Sequence, residues 1–248
     1  MGKFDNFLFF TCISILFLCI LLTFSFFTPK KASDSENMVF IGKLDDKEIK
    51  EKTLSLIKPG DVILTKPKSL YDYYQYNKKV KGYSRNGFSN LFFYNLFDKI
   101  LISSMGDTYW HTGIYIGDGI IDSLYLRNIE ETFDNTIEHK YFKVLGVKTS
   151  DKNKYLAMER AKEHYRNQDV YYSLKNGLII VFLESTGANW NLDIREDELV
   201  CSSYVALLYR EINFDDKPFT YITPVNIEFS DLTETKFLVN ETGFYMKK

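Results

Sequence analysis

His111-Thr112-Gly113-Ile114-Tyr115-Ile116-Gly117-Asp118-Gly119-Ile120-Ile121-Asp122-Ser123 is two β-rich runs around an Asp-Gly pair. Asp-Gly is a favoured two-residue hairpin turn, because both positions need positive φ and few residues accept it. With Gly117 and Ile120 flanking the turn, Ile116 pairs with Ile121 and Tyr115 with Asp122. Alternation along the strands then places His111, Gly113, Tyr115 and Asp122 on one face and Ile114, Ile116 and Ile121 on the other. The expectation is a wall bearing an imidazole, a carboxylate and a glycine that leaves room for an approaching helix. Taken alone, the same pattern is also that of an edge hairpin whose polar face meets water.

Ninety positions downstream of His111, Cys201 opens a helix-like stretch, Cys201-Ser202-Ser203-Tyr204-Val205-Ala206-Leu207-Leu208-Tyr209-Arg210. Cys12 and Cys19 fall in an apolar N-terminal run, so the polar remainder holds one thiol. A thiol becomes nucleophilic near neutral pH when an imidazolium or a helix N-terminus pulls down its pKa of about 8.5. Free cysteine is also a frequent core residue, so the helix start and the hairpin carry the weight here. Amides of a first helical turn can in addition hold an oxyanion.

Around these two features the chain reads as alternating short elements. Lys58-Pro59-Gly60-Asp61 is a turn signal followed by the short apolar strand Val62-Ile63-Leu64-Thr65. Phe88, Leu91, Phe92, Leu96 and Ile100 have near-helical spacing, which fits either a core helix or a lid or membrane-facing element. Tyr155 to Tyr165 repeats at helical period with Leu156, Ala157 and Ala161 inward, and His164 near its end. His139, in a charged loop, and His164 are expected to be surface or capping histidines. Leu178 to Leu183 fits strand or helix equally.

Composition removes several classes of function. Thirty-one basic against 33 acidic residues, with no lysine track interleaved with aromatics, give no reason to expect nucleic acid as a partner. One thiol in the polar part excludes a disulfide scaffold, and three scattered histidines do not supply zinc spacing. No metal or organic cofactor is expected.

Phe7 to Phe27 is 21 residues without a charge, long enough to cross a bilayer core of roughly 30 Å as a helix. It lacks a small-x-small cleavage site, so the expectation is an uncleaved single-pass anchor. Lys30, Lys31, Lys43 and Lys47 outnumber Lys3 across that run and place the C-terminal part in the cytoplasm by count. The division expected is an anchor over 1–27, a polar tether over 28–50, and one domain over 51–248 with an insertion at about 66–109.

Lys58-Pro59-Gly60-Asp61-Val62-Ile63-Leu64, the His111 to Gly119 run and Val200-Cys201-Ser202-Ser203-Tyr204-Val205, in that order, resemble the YiiX/YebB-like group of circularly permuted papain-fold thiol hydrolases. That group is related to NlpC-type cell-wall peptidases and to lecithin:retinol acyltransferases. The resemblance covers roughly residues 54 to 212. It implies an α+β fold, an antiparallel sheet packed against helices, with the histidine strand before the cysteine helix. Cys201 would be the nucleophile and His111 the base. The family's third polar residue lies about twelve positions beyond the histidine, where this chain has Ser123, with Asp122 one residue short. The hairpin parity makes Asp122 the expected orienting group and Ser123 the fallback.

The implied chemistry is acyl transfer through a thioester at an amide or ester bond. The anchor and the aromatic insertion tilt the expected substrate toward a lipid-linked or acylated one. A cell-wall peptide amide and a non-catalytic, membrane-tethered interaction module are the alternatives.

Overall fold

The computed structural model describes residues 37–66, 109, 111–124, 128–134, 141–173, 176–177, 179–180 and 195–248. The expected anchor, all of the insertion but its end residues Lys66 and Tyr109, and His139 fall outside the described residues, as do Leu178 and 181–183. Ile179 and Ile180, which are described, are helical. Among the described residues no helix is long and apolar enough to cross a membrane.

The chain is α+β, with one large antiparallel sheet. Its strands are β1 (Met38–Gly42), β2 (Val62–Thr65), β3 (His111–Gly117), β4 (Ile120–Leu124), β5 (Asn128–Thr132), β6 (Phe142–Val147), β9 (Thr233–Asn240) and β10 (Gly243–Lys247). They lie in the order β1-β10-β9-β6-β2-β3-β4-β5, and every neighbouring pair is antiparallel. A small parallel pair, β7 (Tyr171–Tyr172) and β8 (Glu198–Leu199), stands apart.

Helices cover both faces of this sheet. On one face Val62, Leu64, Ile114, Leu124 and Leu145 pack with Ala157 and Ala161 of α2 (Asp151–Asn167) and with Tyr204, Val205 and Leu208 of α3 (Cys201–Leu208). On the other, Ile63, Tyr115, Ile121, Val144 and Phe237 pack with Ile49 of α1 (Asp46–Leu56) and with Ile57 beyond its end. Alternation within the four buried residues of β2 sends Val62 and Leu64 one way and Ile63 the other. A strand buried on both sides reads as a continuous apolar run, which is why Val62-Ile63-Leu64 was legible.

Two expectations need correction. The stretch expected to be tether up to residue 50 contains β1 and the start of α1, so the folded part begins before Glu51. A capping box starts α1: the Glu48 amide donates to Asp45 Oδ1 at 2.8 Å and the Asp45 amide to Glu48 Oε2 at 2.9 Å. Its charged residues, read as linker, are the solvent side of an amphipathic helix.

The hairpin register also differs. The turn forms as expected, with Asp118 at φ 53° and Gly119 at φ 74°, and Gly117 opposite Ile120. Gly117 itself sits at φ 103°, however, and the pairing slips there, leaving Ile116 as the extra residue of a bulge. Tyr115 therefore pairs with Ile121, Ile114 with Asp122, and Gly113 with Ser123. One residue of slip moves every β4 side chain to the opposite face relative to the expectation.

The Lys58 to Asp61 turn locks three elements together. The Gly60 amide donates to the Tyr115 carbonyl (2.8 Å), the Tyr115 amide to the Asp61 carbonyl (2.9 Å), and the Tyr209 hydroxyl to the Gly60 carbonyl. Gly60 has φ +88°, and a Cβ there would stand 2.9 Å from Lys154 Cβ and 3.0 Å from Tyr209 Oη. Gly60→Ala is expected to cost about 1–3 kcal/mol through backbone strain, read as a fall in the urea midpoint at unchanged slope.

Candidate functional site

Helix α3 places Cys201 at its first residue, after Val200 in extended geometry. Val200 supplies no side-chain cap, so the first-turn amides are not claimed by one. Seven of the eight residues in α3 are buried, which makes the helix a core element rather than a surface one. The two serines after the cysteine are anchors: Ser202 Oγ donates to the Ile222 carbonyl at 2.7 Å, and Ser203 Oγ to the Thr220 carbonyl at 3.0 Å. They fix the start of α3 against the 3-10 turn Phe219–Tyr221 and the residue after it.

The sulfur of Cys201 is buried and meets Thr112, the residue after His111. Burial pushes the thiol up to about 11; the amides of Thr112, Ser202 and Cys201 pull the other way. Cys201 is thus brought to the first residues of β3, the strand that His111 opens. His111 is buried and lies opposite Thr65 of β2. Alternation gives it the row of Ile63, Gly113 and Tyr115, whereas Thr112 shares the α3 side with Leu64 and Ile114.

Asp122 is not on the His111 row. It pairs with Ile114 and accepts a 2.6 Å hydrogen bond from the Tyr204 hydroxyl on the α3 side. The bulge at Ile116 is the cause of this correction. Burial raises the Asp122 carboxyl well above the usual carboxylate range; the Tyr204 bond opposes the shift and the charge of Glu130 adds to it. Tied to the Tyr204 hydroxyl, the side chain is a strut between β4 and α3 and is turned away from the His111 row.

Ser123, the fallback, takes the row that Asp122 was expected to occupy, opposite Gly113. A Cβ at Gly113 would stand 2.7 Å from Ile121 Cγ2 and 3.3 Å from Ser123 Cβ. The room left by the glycine is thus filled from β4, not by an approaching helix. Thr112 and Tyr204 are the site residues that sequence reasoning passed over. The available signal was parity for Thr112 and, for Tyr204, a place one helical turn after Cys201.

His164 lies in the last turn of α2, its Nδ1 2.7 Å from Asp169 Oδ1 and its ring edge-on to Tyr204 at 6.0 Å between centroids. Among the described residues no group of histidine, cysteine and carboxylate side chains could hold a metal ion. The chain matches no protein-family model, and no curated protein matches its sequence.

Proposed function

We propose that this chain is a membrane-anchored thiol hydrolase or acyltransferase of permuted papain-like design. The observation that supports the reading is a cysteine on the first residue of a buried helix, its sulfur against Thr112, next to the histidine that opens β3. Cys201 attacks the carbonyl of an amide or ester and its proton passes to His111, a step that requires the imidazole, which alternation puts on the row away from α3, to reach round the start of β3 to the sulfur. The protonated imidazole returns that proton to the departing amine or alcohol, leaving a thioester. Water or a second nucleophile then releases the acyl group and restores the thiol. The amides at the start of α3 are the donors for the oxyanion. Ser123, on the His111 row, replaces Asp122 as the group that steadies the imidazole. A lipid-linked or acylated substrate fits an anchored enzyme; a cell-wall peptide amide is the second substrate class.

A second reading, a non-catalytic module that retains the fold, is favoured by the deep burial of the thiol and by the diversion of Asp122 to Tyr204. Labelling by an electrophilic thiol probe separates the two. An unassisted thiol with pKa about 11 gains about tenfold in thiolate for each pH unit between 7 and 10. If His111 assists, labelling of Cys201 at pH 7 exceeds that alkaline curve, and His111→Ala lowers it by at least about tenfold to the curve itself. Identical curves with and without the imidazole would falsify the enzyme reading.

A further inference from the structure

Strand β1 is an outer edge of the sheet, paired with β10 on one side and, among the described residues, with no strand on the other. Val39, Phe40 and Ile41 are 38%, 52% and 42% exposed, three consecutive apolar residues that present both faces of the strand. No charge occurs between Met38 and Gly42. Edge strands exposed to water are ordinarily guarded by charge, proline or bulges on their outer side; β1 has an irregularity between Phe40 and Gly42 but neither charge nor proline, and exposed apolar edges invite association. Basic groups stand at its two ends. Lys43 follows the strand and is exposed, and Lys248, also exposed, donates its amide to the Asn37 carbonyl at 3.0 Å. Lys247, opposite Met38, is shared with Glu234 at 3.4 Å.

The position of this edge in the chain says what covers it. The uncharged Phe7 to Phe27 run ends eleven residues before Met38, and the segment between contains Lys30 and Lys31. Eleven residues reach at most about 40 Å fully extended. The strand is therefore held close to whatever surface that run enters. We propose that β1 seats on the lipid bilayer, with Val39, Phe40 and Ile41 at the boundary between headgroups and acyl chains and Lys43 and Lys248 at lipid phosphates. The proposal rests on the reading of Phe7 to Phe27 as a membrane-spanning helix. A shallow apolar strand beside a covalent anchor acts as a second membrane signal, which fixes the orientation of the domain where one signal leaves it free to rotate.

The test uses the full chain in vesicles of phosphatidylcholine with a minority of phosphatidylglycerol, carrying photoreactive benzoylphenylalanine at position 40 or, as control, at the exposed Tyr155 of α2. Irradiation is expected to give lipid adducts at 40 at least about tenfold above those at 155. The same residue at position 41 repeats the measurement should the substitution at 40 disturb the Phe40–Tyr245 ring contact. Crosslinked dimers in place of lipid adducts overturn the proposal and assign the edge to a second copy of this chain. Equal or absent adducts at both positions also overturn it. An alkaline carbonate wash separates the causes: protein retained in the vesicles with no adduct removes the docking alone, whereas protein released into the wash removes the anchor and the docking with it.

Discussion

Lys143→Met is expected to cost about 3–5 kcal/mol of folding stability, a large fraction of what a domain of this size possesses. Lys143 lies in β6 opposite Leu64 and Leu238, with its side chain on the side of the sheet where α3 packs. Its Nζ stands 2.6 Å from Glu228 Oε1 in the short helix α4 (Pro224–Glu228), and each side chain is only 3% exposed. The Tyr109 ring lies 5.0 Å from the same ammonium. Removing the cation leaves a carboxylate deep in the protein with its countercharge gone, and the desolvation cost then falls on it. The control is the double replacement Lys143→Met with Glu228→Leu. Because a buried ion pair repays its own desolvation poorly against apolar packing, the double variant is expected to recover most of the loss. Urea unfolding of the two variants checks both figures; a single-variant cost below about 1 kcal/mol would mean that Glu228 reaches water and that the pair is not a support.

Asp61→Leu is expected to be the next most damaging change, at about 2–4 kcal/mol. The Asp61 side chain is fully buried and accepts three hydrogen bonds from two donors: Lys236 Nζ at 2.9 Å and 2.7 Å on its two oxygens and the Lys58 amide at 2.6 Å. Burial still wins over those donors and leaves the carboxyl raised. Lys236 is partly exposed and can turn to solvent once its partner is lost, which keeps the figure below that for Lys143. The Lys58 amide loses its side-chain acceptor in the same change. Asp61→Asn keeps an acceptor for that amide without the buried charge, so it is expected to cost less than half as much as leucine. Equal losses for Asn and Leu in urea titrations would place the contribution in the Lys236 ion pair rather than in the turn.

Short-range patterns in the sequence carried much of the fold. The Pro59-Gly60 turn, the apolar run of β2, the Asp118-Gly119 hairpin and the periods of α2 and α3 all depend on neighbours within a few positions. What stayed hidden depends on contacts across the chain. Tyr204 and Asp122 are 82 positions apart, and Lys143 and Glu228 are 85 apart, so no local period announces either pair. The bulge at Ile116 is an intermediate case. Gly117 was visible, but its positive φ was not, and that one angle decides whether Asp122 or Ser123 shares a row with His111. The N-terminal boundary was missed for another reason: a charged amphipathic helix and a polar linker have similar composition, and only the Asp45–Glu48 cap tells them apart.

The ladder between β1 and β10 has a consequence for synthesis. Met38 finds Lys247, so about two hundred residues must be polymerised before the first strand of the sheet acquires its neighbour. Until the last ladder residues leave the ribosome, the apolar Val39-Phe40-Ile41 segment waits without a partner strand, and a chaperone or a nearby lipid surface is what can shield it in the interval. Loss of Gly243–Lys247 would leave a nascent chain permanently at that stage, with Phe237, Leu238 and Val239 of β9 paired on the β6 side alone.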